Sequence, residues 1–182
     1  MNVSIATGDI ADARADAVCT STNPRLSLMM GTGASIRDRG GFEVLRACEQ
    51  LIDDEARRSG RHVLPIGSAH ATTAGSLPFK IAIHCIASDA THHLSSPEII
   101  RSCVHSALKV AESHGCASVA MPVFAAGHAH MRFELALTSI AEALRDAKTS
   151  VRDVTIVVYD PERRDDAQRL VNAVMSSPRA AS

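Results

Sequence analysis

The stretch Ser118-Val119-Ala120-Met121-Pro122-Val123-Phe124-Ala125-Ala126-Gly127 passes from an apolar run into a loop of small residues. Residues 118–124 read as a buried strand, short and continuous in its apolar character. Downstream, residues 132–148 have the spacing of an amphipathic helix, 154–159 form a near-continuous apolar strand, and 162–175 form a last helix. Upstream, Ser96 and Pro97 are suited to the N-cap and first position of a helix that runs to His114 and stops at Gly115. Before it, residues 79–87 (Phe-Lys-Ile-Ala-Ile-His-Cys-Ile-Ala) alternate as a strong strand after a turn at 75–78. Strands at 3–6, 15–19 and 68–73 and a helix over 36–58 complete the first half. That helix carries an apolar stripe through Phe42, Leu45, Cys48 and Ile52, breaks at Gly40-Gly41 and ends at Ser59-Gly60. Alternating strands and helices predict an α/β fold with a substantially parallel sheet covered on both faces.

The 182 residues suit one domain over 1–175, with a small, polar tail at 176–182 expected to fray. The net charge of -1 gives no basic field to draw the chain onto nucleic acid or an anionic membrane, and 3% aromatic content argues against a single-strand binder. Of 19 Lys and Arg, only Lys80, Lys109 and Lys148 are lysine, a skew expected of GC-rich bacterial coding. Residues 1–9 have neither the basic start nor the apolar core of a signal peptide, and no apolar run is long enough to span a membrane. The cysteines Cys19, Cys48, Cys85, Cys103 and Cys116 are odd in number and lack C-x-x-C spacing. They read as buried thiols, which points to the cytoplasm. His92-His93 and the pair His128 and His130 read as surface histidines, and no metal or other cofactor is expected. His84 reads as a hydrogen-bonded core residue.

Three stretches stand at the carboxyl ends of strands, where ligands sit in open α/β sheets. They are Thr7-Gly8-Asp9-Ile10, the run from Thr20-Ser21-Thr22-Asn23 to Gly41, and Met121 to Gly127. Backbone N–H groups of small-residue loops and helix N-termini are suited to a diphosphate. Gly31-Thr32-Gly33 starts like a dinucleotide fingerprint, but Ile36 occupies the third glycine position, and no Walker Gly-Lys-Ser/Thr occurs.

The order and spacing of these stretches resemble the macrodomain family over roughly residues 1–160. The resemblance implies a three-layer α/β/α sandwich with a mixed sheet, and a pocket for ADP-ribose. Gly8-Asp9-Ile10 matches the family's adenine-recognising segment, which assigns Asp9 and Ile10 to adenine. Residues 16–23 resemble its Asp-Ala-Ile-Val-Asn-Ala-Ala-Asn segment, so that Asn23 falls on the Asn that reaches the distal ribose, while Thr20 replaces the first Asn. Residues 28–37 occupy the first phosphate loop, implying contacts from Gly31, Thr32 and Gly33. Methionines Met29 and Met30 stand where glycines are usual and are expected to crowd the diphosphate. Residues 118–130 resemble the second phosphate loop, implying contacts from Ala125, Ala126, Gly127 and His128, with Phe124 against a ribose or in the core.

Counting from Asn23, the family's hydrolytic Asp falls on Gly33 and its His on Arg37. Glycine cannot orient a water, and Arg stays protonated, so the usual general-base chemistry is missing. This part of the chain looks more like the macrodomain of a vertebrate core-histone variant, a binder. The expected function is therefore binding of ADP-ribose, free or attached to protein or nucleic acid. The alternative is an ADP-ribosyl or O-acetyl-ADP-ribose hydrolase in which substrate phosphates, Asn23 or His130 position the water. An RNA or other nucleotide binder is the third reading.

Overall fold

The computed structural model describes residues 1–89, 91–92, 94–127 and 129–178. Among these, the strands are β1 (Asn2–Thr7), β2 (Ala17–Thr22), β3 (Ala69–Thr72), β4 (Ile81–Ile86), β5 (Ser118–Pro122) and β6 (Asp153–Val158). The helices are α1 (Gly31–Gly40), α2 (Phe42–Ser59), α3 (Pro97–Ser113), α4 (Phe133–Asp146) and α5 (Arg164–Ser176). The strands form one sheet in the order β1-β6-β5-β2-β4-β3. All neighbours are parallel except the edge strand β3, which runs antiparallel to β4.

Alternate side chains of the strands enter opposite cores. Ala17, Cys19, Ile83, Cys85, Val119, Met121 and Ile156 pack with buried residues of α3, α4 and α5. Val18, Ala82, Ala120 and Val157 pack with Ile36 of α1 and with Val44 and Cys48 of α2. This period-2 division over central strands buried on both faces is the expected α/β/α sandwich. All five cysteines are free and buried, and burial pushes the Cys48 and Cys103 thiols up to about 12.

Helix α3 starts as the sequence suggests, with Ser96 accepting the Ile99 N–H and Pro97 in the first turn. The first helical segment differs. Its expected start at 36 moves back to Gly31, so Gly31, Thr32 and Gly33 lie in the first turn of α1 rather than in a free loop. Their glycine content suggests a loop, but burial of Ile36 against β2 favours continuing the helix through them. The break at Gly40-Gly41 is as expected and has a steric cause. A Cβ on Gly40 would come within 2.8 Å of the Ala74 carbonyl oxygen, and one on Gly75 within 1.9 Å of the Gly40 oxygen. The close pass is sealed by Ser76 N–H donating to Gly40 O at 2.9 Å.

His84 is fully buried on β4. Its Nε2 lies 2.8 Å from Thr72 Oγ1 and its Nδ1 lies 3.3 Å from Thr20 Oγ1. Burial lowers the imidazole from 6.5 to about 4. The unfolded chain thus takes up a proton at His84 that the folded chain excludes. The stabilisation from neutral His84 is complete above pH 6.5 and is lost as pH falls through 4, and the difference is worth roughly 3 kcal/mol. Urea unfolding followed by circular dichroism should show that loss over this window. In His84→Gln the same titration should be flatter by a comparable amount; equal slopes in the two proteins would contradict the assignment.

Candidate functional site

A cavity of about 1190 Å³ opens at the carboxyl ends of the parallel strands, bounded by Asp9, by the β2–α1 loop and by the β5–α4 loop. Asp9 follows β1 and caps the short 3-10 turn Ile10–Asp12, its Oδ1 accepting the Ala11 N–H at 2.8 Å. The same oxygen accepts the hydroxyl of Ser35 on α1. Ile10 lines the wall beside it.

The β2–α1 loop is shaped by Asn23, whose Oδ1 accepts the Arg25 N–H at 3.0 Å and the Ser27 N–H at 3.5 Å. With Oδ1 so engaged, the amide Nδ2 of Asn23 is the group suited to a ligand, as a donor. Leu26 and Leu28 turn into the core while Met29 and Met30 stay 67% and 53% exposed on the cavity wall. Met30 caps α1 without a side-chain hydrogen bond, so the N–H groups of the first helical turn are not satisfied by a capping side chain. Gly31 and Thr32 of that turn line the cavity. A helix N-terminus facing a cavity attracts anions through these donors and the helix dipole.

The β5–α4 loop lines the same cavity through Val123, Ala125, Ala126, Gly127 and His130. Its turn is closed by His130 N–H to Gly127 O at 3.0 Å and Met131 N–H to Ala125 O at 3.1 Å. Among the described residues, the non-glycine positions with positive φ are Leu26, Ala125 and His130, all in these two loops. Such conformations cost energy and cluster at sites where backbone geometry is used. Ser21, at the end of β2, joins the loops: its N–H donates to Thr32 Oγ1 at 3.3 Å, and its Oγ accepts the Ala125 N–H at 3.3 Å.

The rim beyond Asp9 is aromatic and charged. Tyr159, just after β6, is 84% exposed and lines the cavity. The Arg163 guanidinium sits 4.8 Å from the centre of the Phe133 ring, and lies 3.7 Å from Glu134 and from Asp160.

Of the residues singled out in the sequence, the cavity brings together Asp9, Ile10, Asn23, Gly31, Thr32, Ala125, Ala126, Gly127 and His130. Two others do not join them. Phe124 is completely buried among α3- and α4-facing residues, so it belongs to the core and not against a ribose. Gly33 is buried in α1 and turned toward Leu28, whose Cα and Cδ2 lie 3.2 Å from where a Cβ would stand. His128 lies outside the described residues. Arg37 donates to Leu28 O at 2.9 Å and to Asp38, which makes it a brace for the loop. Ser21 and Ser35 fall inside the second of the three stretches but without the contacts seen here, and Tyr159 and Arg163 lie outside all three. Tyr159 carried one legible signal, as the single tyrosine of the chain at the carboxyl end of a strand. Among the described residues, no group of three or more His, Cys, Asp or Glu is placed to hold a metal ion.

The family model described as Macro domain matches residues 19–140. A macro domain-containing protein of Streptomyces coelicolor is 31% identical over 160 residues, covering 87% of this chain and 91% of that protein. Another, from Streptomyces nogalater, is 30% identical over 167 residues, covering 92% and 90%. In three dimensions the chain is similar to a variant of the Oceanobacillus iheyensis macrodomain with ADPR, at a TM-score of 0.84 and 21% identity, covering 95% of this chain and 93% of that one.

The double attachment of Ser21 carries an expected outcome. Ser21→Ala removes the acceptor for the buried Ala125 N–H at a strained φ, and a lost acceptor of this kind costs about 1–2 kcal/mol. Urea denaturation should show the loss; an unchanged midpoint would mean that the two loops hold their geometry without this bridge.

Proposed function

The chain belongs to the Macro domain family, and on that premise we propose that its cavity binds ADP-ribose, free or attached to a protein or nucleic acid. The observation that carries the reading is that an α1 N-terminus without a side-chain cap and a loop of small residues line one cavity. Between them the diphosphate meets backbone N–H donors and the positive end of a helix dipole, without needing a lysine. Asp9 and Asn23 line the same cavity. Asp9 suits the adenine amine, because a carboxylate accepts what an exocyclic amine donates. Exposed Tyr159 offers a flat apolar face on the same rim for the base. Asn23 then meets the distal ribose. The solved macrodomain variant of similar fold is described with ADPR, which supports this choice of ligand.

Binding is favoured over turnover by what stands where a general base would be needed. Gly33 is turned toward Leu28, and Arg37 is spent on the loop backbone and Asp38. A protonated guanidinium is a poor base. The partners we assign are ADP-ribose and molecules that carry it, with no general affinity for nucleic acid at a net charge of -1. No helix among the described residues is long and apolar enough to cross a membrane. Five free buried thiols and the arginine-rich composition fit a bacterial cytoplasm as the setting.

Calorimetry with ADP-ribose tests the reading. Wild type should bind, and Asp9→Ala should bind about 10- to 150-fold more weakly, the range for a lost hydrogen bond to a charged acceptor. No binding at high micromolar ligand would sink the assignment; equal affinity of the two proteins would remove Asp9 from it. In single-turnover assays on a mono-ADP-ribosylated protein, hydrolysis should be absent, or about 10²- to 10⁴-fold slower than with a general base in place. Robust wild-type turnover, abolished in His130→Ala with ADP-ribose affinity intact, would instead assign the chemistry to the β5–α4 loop.

A further inference from the structure

We infer that Ser35 is a positioning residue that sets which base the cavity selects, an inference that rests on Asp9 being at the base end of an ADP-ribose site. Ser35 lies in α1, one turn beyond the N–H donors, and lines the cavity. Its hydroxyl donates to Oδ1 of Asp9, the oxygen that also takes the Ala11 N–H at 2.8 Å. The terminal torsion of an aspartate is soft and broad, so a single donor on one oxygen leaves the carboxylate plane loosely held. Two donors from different elements, the 3-10 turn and α1, hold it. Neither bond uses Oδ2, which is thereby oriented as an acceptor.

A fixed acceptor discriminates between purines. The 6-amino group of adenine donates to it, whereas the 6-carbonyl of hypoxanthine presents a second acceptor and is repelled. A carboxylate free to turn loses part of that discrimination, because it can swing to the N1–H donor of hypoxanthine. Ser35 acts here through Asp9, on a helix whose N-terminus faces the diphosphate. A second link between the same two elements serves as the control. Arg39 pairs with Asp12 at 2.7 Å, with side chains 44% and 66% exposed, and neither residue lines the cavity. The two side chains fasten α1 to the 3-10 turn and leave the Asp9 carboxylate alone; Asp12 meets Asp9 through the backbone, its N–H donating to the Asp9 carbonyl at 3.0 Å.

The test is calorimetry of the full chain with ADP-ribose and with inosine diphosphate ribose, accompanied by thermal melts. Wild type should favour ADP-ribose by about tenfold or more. Ser35→Ala should weaken ADP-ribose by about 5- to 20-fold while leaving the inosine ligand nearly unchanged, so that the preference collapses. Ser35→Thr, which returns the hydroxyl, should restore it, and Arg39→Ala should keep it. If Ser35→Ala retains the wild-type preference, or loses both ligands to the same extent, the inference is overturned while the ADP-ribose reading stands. Wild type that binds neither ligand overturns both.

Discussion

Strand β2 is held at both ends by side chains that reach its neighbours, and the geometry of the cavity follows from that. At its start, Asp16 Oδ2 accepts the Ala117 N–H at 2.7 Å and the Ser118 N–H at 3.2 Å, which fastens it to β5. Its Oδ1 meets Lys80 Nζ at 2.9 Å, and its carbonyl accepts the Lys80 N–H, which fastens it to β4. The Lys80 ammonium and these N–H donors keep the Asp16 carboxyl below the usual carboxylate range. At its end, Ser21 ties the strand to α1 on one side and to the β5–α4 loop on the other. A one-residue slip in β2 would exchange its two buried faces and separate both loops from each other. The site is therefore a consequence of register.

With the faces of the parallel sheet covered by helices, its carboxyl edge offers the room for a ligand. There the chain accepts local strain at Leu26, Ala125 and His130 and leaves the first turn of α1 without a side-chain cap. Each of these lowers stability if the cavity stays empty. An anionic ligand offsets them, because it satisfies N–H donors that water alone would otherwise solvate. The same logic explains a site with few charged side chains near its centre: backbone dipoles fixed by register take the place of mobile lysines.

Much of this was legible in the chain. The strands announced themselves through apolar alternation, and the loops at their ends through small residues, so Asp9, Asn23 and the Ala125–Gly127 segment could be placed together. What misled was local composition detached from packing. Gly31-Thr32-Gly33 reads as a loop, but burial of Ile36 continues α1 through it, and Gly33 then faces Leu28. Phe124 could be read in the sequence either against a ribose or in the core; the strand ends two residues earlier than 118–124, at Pro122, and Phe124 still turns into the core. The roles of Ser21, Ser35 and Arg163 were not legible, since they rest on contacts with residues far away in sequence. The Ser21 bridge to Ala125 spans 104 positions, and nothing in the neighbourhood of either residue marks it.

In the proposed mode of binding, backbone N–H groups at the start of α1 and in the β5–α4 loop grip the diphosphate of ADP-ribose. Amide chemical shifts of the ¹⁵N-labelled chain during titration with ADP-ribose report on those groups directly. Saturable shifts concentrated at Gly31, Thr32, Ala126 and Gly127, reproduced at the same residues by ADP but not by adenosine, are the result this account requires. Shifts confined to other surfaces, or none at these four amides when ligand is in excess, would contradict it.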